Sequence, residues 1–491
     1  MLHTLRFPEA AELPPVREAD PAEVRAAIAG GRRLVVLDDD PTGTQTVAGV
    51  PVLTTWTVDD LRWALRQDST AFFVLTNTRS LAPEAAAARN REVVRALTEA
   101  SAAEGTGFVL ASRGDSTLRG HFPLETDVLA EEVPVDGVVL VPAYIEAGRL
   151  TAGSVHWMRT ADGMLPVAES EFAKDATFGY ANSGLPEWIE EKTGGRIPAG
   201  DVLRITLEDI RLRGAEHVAG LLTSLSDGRP AVVDALCDDD LRVLALASAA
   251  AEGSGARLLY RVGPSFVRAR AGQAAHPPLT AAELRTFSHP GASPTAASQA
   301  GASRTSQAEA SRPAAHGLIA VGSHVGLTTR QLDRLRERGG LAEFELDVPS
   351  LLDEDRRAAH VAEVARACAE ALGSGEVVLR TTRALVTGAD ADDSLAIARA
   401  VSGAVVETVR AITAERRPAF VVAKGGITSS DVATQGLEIR RAWARGTLLP
   451  GIVSLWEPVS GPSVGIPYIV FAGNVGGEDA LADVVDLLRS R

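Results

Sequence analysis

"FVLASRGDSTLRG", Phe108 to Gly120, joins a continuous apolar run to a cluster of hydroxyls, arginines and one acid. A run with no polar alternation describes a strand buried on both faces, as in a parallel sheet covered by helices. The polar residues crowd its carboxyl end, the edge at which open α/β sheets bind their ligands. The same pattern recurs nearby. "RLVVLDDD" (Arg33 to Asp40) ends in three adjacent acids and enters the turn "PTGTQT". "GVVLVPA" (Gly137 to Ala143) enters "YIEAGR", Tyr144 to Arg149. "AFFVLTN", "VLRITL", "AVVDAL" and "RLLYRV" are further short apolar runs, and helical patterns such as "VDDLRWALRQ" (Val58 to Gln67) lie between them. The expected fold class is therefore α/β, with mainly parallel sheets flanked by helices.

Ser288 to His316, "SHPGASPTAASQAGASRTSQAEASRPAAH", breaks this rhythm. It holds no Leu, Ile, Val, Met, Phe, Tyr or Trp and has nothing to bury, so it reads as a flexible Ala/Ser/Pro linker. The rhythm then resumes in "LIAVGS", "FELDV", "EVVLRTT", "AFVVAKGG" and "YIVFAGN". The chain of 491 residues is thus expected to form domains over 1–287 and 317–491, with 288–316 linking them and an active site in the cleft between them.

Composition removes several function classes. A formal net charge of -15 argues against a nucleic-acid binder or a membrane-surface protein, since both need a basic face. Only Lys174, Lys192 and Lys424 are lysines among the 49 basic residues, and no Gly-Lys pair exists for a Walker A loop. The His-Arg-Asp loop of protein kinases is also missing. Cys237 and Cys368 stand far apart, which suggests neither a disulfide framework nor a zinc site and fits a reducing cytoplasm. "MLHTLRFPEA" does not read as a signal peptide. No run of eighteen apolar residues suggests a membrane span.

The strand-end clusters supply the candidate site. Asp39 and Asp40, with Thr42 and Gly43 in the turn, form one group. Arg113, Asp115, Ser116 and Arg119 form a second, and Arg149 follows the third strand. Asp115 or an acid of the first group could orient or deprotonate a hydroxyl. Arg119 offers a planar fork suited to a carboxylate. In the second half, "GSHVGLTTRQ", "GGITSS" and "AGNVGG" each follow an apolar strand. Small residues in such loops let backbone N–H groups approach phosphate, and three in one domain point to a polyphosphate such as a nucleotide. His121 and His324 have no partner at a recognisable spacing and read as structural or solvent-exposed.

With these residues in view, the chain resembles the four-carbon acid sugar kinase family. "DDPTG" (Asp39 to Gly43), "DSTLRG" (Asp115 to Gly120) and "PAYIEAGR" (Pro142 to Arg149) resemble its sugar-acid half. "GSHVGLTTRQ", "GGITS", "PGIV" and "AGNVG" resemble its nucleotide loops. Lys424 stands where a small residue is common. The resemblance implies ATP-dependent phosphorylation of a sugar-acid hydroxyl, with Mg²⁺ on the phosphates and metal ligands left unassigned. It assigns ATP contacts to Ser323, to Gly425, Gly426, Ile427 and Thr428, and to Gly473. It implies catalytic roles for Asp115, Asp39 and Arg119. A small anionic sugar acid is the implied partner, with no nucleic acid or membrane, and a homodimer is compatible with it. Two alternatives stay open: a kinase of another sugar acid or polyol, and a non-catalytic sugar-acid or nucleotide sensor.

Overall fold

The computed structural model describes residues 6–287, 316–384, 386 and 391–490. The expected linker lies outside the described residues except for His316. The chain divides into two compact units, 1–276 and 277–491.

The first unit carries strands β1 (Arg33–Asp38), β2 (Val50–Leu53), β3 (Ala71–Leu75), β4 (Phe108–Arg113) and β5 (Gly137–Val141). Strands β6 (Arg149–Ala152), β7 (Val155–Thr160) and β8 (Gly163–Pro166) follow, then β9 (Leu203–Ile205), β10 (Arg229–Val233) and β11 (Leu258–Val262). The main sheet has the order β2-β3-β1-β4-β11-β5-β10-β9, and every pairing in it is parallel. Helices between the strands cover it. Asp20 and Thr57 cap two of them by accepting from Ala22 N and Asp60 N. A third, Pro83–Glu104, starts on proline and stops at Gly105, whose φ of 63° suits a residue without Cβ. The apolar runs deliver Val35, Leu37, Phe72, Val74 and Leu110 into one core with Leu61, Val93 and Leu97 of the helices. Burying each such side chain is worth roughly 1.5–3 kcal/mol. Strands β6, β7 and β8 form a separate antiparallel sheet, which sequence reading did not anticipate.

The second unit carries β12 (Leu318–Val321), β13 (Leu341–Leu346), β14 (Glu376–Thr381), β15 (Val421–Lys424), β16 (Arg441–Leu449), β17 (Val453–Pro458) and β18 (Tyr468–Phe471). The order is β13-β14-β12-β15-β18-β17-β16. Pairings from β13 to β18 are parallel, and β17 runs antiparallel to both its neighbours. The segment 277–287, grouped with the first half by sequence, brings Leu279 and Leu284 into this unit's core beside Leu448 and Leu481.

Candidate functional site: a charged strand-end cluster and three converging loops

Register assembles the first cluster. Asp38 ends β1 directly opposite Arg113, which ends β4. The Arg113 Nε donates to Asp38 Oδ1, while its Nη2 donates to the Asp40 carbonyl at 2.6 Å and to Asp40 Oδ1 at 3.0 Å. Arg79, just beyond β3, grips both oxygens of Asp39 and donates to Asp40 Oδ2 at 2.8 Å. Two guanidiniums therefore offset much of the repulsion among three adjacent acids. Gly43 has to be glycine here, because a Cβ would lie 2.3 Å from Asp38 Oδ2 and 2.6 Å from Arg113 Nε.

Burial pushes Asp38 up to about 7 against the pull of Arg113. Burial likewise raises Asp39 despite Arg79 and Arg113. At Asp40, burial is outweighed by Arg79, Arg113 and the bonds from Thr42, and its carboxyl lies well below the usual range.

The signature motif leaves β4 beside this node. Asp115 accepts from Arg119 Nε at 2.6 Å and from the Thr117 hydroxyl. Burial works to raise Asp115, but Arg79, Arg119 and Thr117 prevail and keep its carboxyl below the ordinary range. The turn is held from several sides. His156 Nε2 lies 2.8 Å from the Ser116 carbonyl, and the Tyr180 hydroxyl donates to the Thr117 carbonyl at 2.6 Å. Leu118 has φ of 67°, a left-handed conformation that costs a non-glycine residue about 1–3 kcal/mol and gathers at functional sites.

Two arginines flank Asp115. Arg119 packs on the Phe172 ring, 4.9 Å from its centroid, and approaches Asp175 at 3.6 Å. Arg149 Nη1 donates to the Ala147 carbonyl at 2.5 Å, and its buried Nε has no protein partner among the described residues. Burial lowers the Arg149 pKa against the pull of Asp115. The Nε–Nη2 edge of an arginine matches the geometry of a planar anion such as a carboxylate.

In the second unit the three loops meet. The Lys424 carbonyl, at the end of β15, accepts from Gly322 N at 3.2 Å and Ser323 N at 3.3 Å. Its side chain donates to the Ala472 carbonyl at 2.6 Å in the loop after β18. Thr328 Oγ1 donates to Ser323 Oγ and to the Gly473 carbonyl, both at 3.0 Å. The packing is close, so a side chain on either loop glycine would have to displace a neighbouring hydroxyl. A Cβ on Gly473 would sit 2.5 Å from Ser323 Oγ, and one on Gly322 would sit 2.2 Å from Thr428 Oγ1. A cavity of about 320 Å³ opens beside Gly322 and Thr428, lined by Val348, Val386, Ile397, Val401 and Ile427. An apolar cavity adjoining a small-residue loop cluster suits a base next to its phosphates.

Residues 34–270 match the family described as the sugar-binding N-terminal domain, and residues 318–481 match the nucleotide-binding C-terminal domain. The chain belongs, by this architecture, to the four-carbon acid sugar kinase family. Two solved structures share the fold of this kinase-family chain. A Salmonella typhimurium LT2 protein, described provisionally as a tRNA synthase, has 18% identity and a TM-score of 0.63 over 92% of this chain and 98% of its own. A Haemophilus influenzae protein of a family known only as a domain of unknown function has 20% identity and a TM-score of 0.57 over 92% of this chain and 100% of its own. At these identities the likeness speaks for the fold. No curated protein matches significantly.

Within the kinase-family architecture, the sequence candidates divide into two groups. Asp40, Asp115, Arg119 and Arg149 form a partly open group. Asp39 and Arg113 are almost wholly buried at 2% exposure, with both Asp39 oxygens taken by Arg79. Arg113 thus serves as a counter-ion to the acids. Ser323, Gly425, Thr428 and Gly473 come together as expected from the motifs, whereas Ile427 lines the cavity. Of Pro450 to Val453, expected as a nucleotide loop, the first three residues form the turn between β16 and β17 and Val453 begins β17, with Ile452 close to Gly476. His121 is structural: its Nε2 lies 3.1 Å from the Leu81 carbonyl, and its ring packs edge-on to Phe178.

Sequence reasoning missed Arg79, whose only signal is a lone basic residue shortly after β3. A hydrolase-type Gly-x-Ser-x-Gly pattern does occur at Gly461 to Gly465. It leads into strand β18 rather than a helix, and Ser463 is buried, so it lacks the strand–turn–helix setting of a nucleophile elbow.

Proposed function

We propose that this protein transfers the terminal phosphate of ATP to a hydroxyl of a small sugar acid, a four-carbon acid sugar or a close relative. The sugar-binding and nucleotide-binding domains support the kinase class. The observation that carries the substrate assignment is Asp115, held below its ordinary range just beyond β4, with Arg119 bonded to it and Arg149, at the start of β6, close enough to feel its charge and carrying an unpartnered Nε. In this reading Arg149 and the free edge of Arg119 take the carboxylate. Asp115 accepts the hydrogen bond of the attacking hydroxyl. A carboxyl held below its usual range is a weak base, so its main work is orientation. That suffices for a phosphoryl transfer with a loose transition state, where positioning and charge neutralisation dominate.

The loops at Ser323, Gly425 and Gly473 would hold the phosphates, and the cavity beside Thr428 the base. Among the described residues no group of three or more His, Cys, Asp or Glu side chains is arranged to hold a metal ion. A Mg²⁺ carried on the nucleotide phosphates needs only one or two carboxylates, and would be held chiefly by the phosphates, whose charge it would neutralise. The test is ADP release with ATP and a panel of sugar acids. Sugar-acid-dependent ADP formation supports the reading. Binding of nucleotide and sugar acid without turnover would instead favour a sensor.

A further inference from the structure

Lys424 is one of three lysines in the chain, and it is fully buried, at 0% exposure. Its ammonium has three donors, yet it meets only the Ala472 carbonyl at 2.6 Å and the Gly473 carbonyl at 3.4 Å. The Nζ also lies 3.8 Å from the Phe471 ring centroid. No carboxylate pairs with it among the described residues. A buried charge without an ionic partner is costly. This one stands where the three glycine loops join, since its carbonyl holds Gly322 and Ser323 and its side chain holds the loop of Gly473.

We infer that Lys424 is a positioning residue whose missing counter-charge is the polyphosphate of the nucleotide, so that nucleotide binding is coupled to protonation of this lysine. The inference rests on the nucleotide reading of the second unit. Burial pushes the free Lys424 ammonium down to about 7. Phosphate negative charge at the loops then favours the protonated form. Binding therefore takes up a proton at pH values above the free pKa and below the bound one.

The other ionisable groups on the packed elements are engaged elsewhere. Tyr468 of β18 donates to the Ser429 carbonyl at 2.5 Å, and Asp431 accepts from Ser402. Arg380 of β14 pairs with Glu343 and Glu345. Glu478 pairs with Arg330 at 2.8 Å. Arg383 is an exception, a second cation at the loops: it donates to the Ser323 carbonyl and to Thr329, and its buried Nε has no partner among the described residues. His324 lines the cavity with its Nδ1 unpartnered, so its contribution has to be separated by a variant.

The test is calorimetric titration of MgADP into the full-length protein at pH 8, in buffers of different ionisation enthalpy, for wild type and Lys424→Met. The wild type is expected to take up a proton, and its affinity to fall by up to about tenfold per pH unit above 7. Lys424→Met should bind more weakly at pH 6.5, lose that uptake and show a flatter pH dependence, while its ligand-free melting temperature stays equal or rises. If wild type binds MgADP with no proton uptake, or the variant keeps it, the inference fails and the nucleotide reading stands. If wild type does not bind MgADP at pH 6.5, the nucleotide reading fails and takes the inference with it. Absence of uptake by wild type overturns the inference whether or not Lys424→Met folds, and His324→Gln, run in the same buffers, should keep the uptake; its loss there would assign the proton to His324 and overturn the inference.

Discussion

At Asp115 burial and charge pull in opposite directions, and the neighbouring arginines prevail. An acid already ionised at neutral pH gives no acidic limb near pH 7. The profile of kcat/KM should therefore stay flat, as far as Asp115 is concerned, down to its unperturbed value of about 3.9. Asp115→Asn should lower kcat by less than the roughly 10²–10⁴-fold expected for loss of a true base, and steady-state kinetics at saturating ATP measures it. Arg149 carries the sharper prediction. Arg149→Ala removes a charge-assisted contact worth about 1.5–3 kcal/mol, so KM for the sugar acid should rise roughly tenfold to a hundredfold with KM for ATP unchanged. Arg149→Lys should recover only part of this, because an ammonium lacks the fork. Arg113 acts differently. Arg113→Met strands buried Asp38 and Asp39 and should cost about 3–5 kcal/mol of stability, read from urea unfolding. A variant with wild-type stability would contradict the role of Arg113 as counter-ion.

The elements that sequence revealed are those whose burial is two-sided. β1, β3, β4 and β5 read as unbroken apolar runs because helices cover both sheet faces, and the polar residues ending them mark the site. The β16–β17 hairpin escaped because its burial alternates along Arg441–Leu449 and small residues such as Ala442, Ala444 and Gly446 weaken the apolar signal. Arg79 escaped because only the β1–β3 register brings a residue beyond β3 to Asp39. The glycine loops were legible as small residues after strands, but their convergence on Lys424 depends on sheet order. Their tightness gives an element-scale prediction. Gly473→Val would force a side chain into Ser323 Oγ, 2.5 Å from the site of the first added carbon. Overpacking of this kind costs about 1–3 kcal/mol. MgADP affinity should fall while sugar-acid binding, measured by calorimetry, stays unchanged.

For the whole molecule, two compact units each carry their own core and their own class of ligand-binding domain. No helix among the described residues is long and apolar enough to cross a membrane. The Ser288 to His316 stretch contributes no apolar side chain larger than alanine or proline. Halving it changes closure entropy by only about 0.6 kcal/mol, so the melting temperature should move by no more than about 4 °C. A larger fall would mean that the stretch is packed. The central claim is that the two domains together make a sugar-acid kinase. Its most direct measurement is ADP release from MgATP across threonate, erythronate and 3-oxo-tetronates, with Arg149→Ala run in parallel. The account predicts ADP formation that requires a sugar acid and shifts to higher sugar-acid concentration in the variant. ADP formation indifferent to every acid in the panel, with wild type and Arg149→Ala indistinguishable, would contradict it.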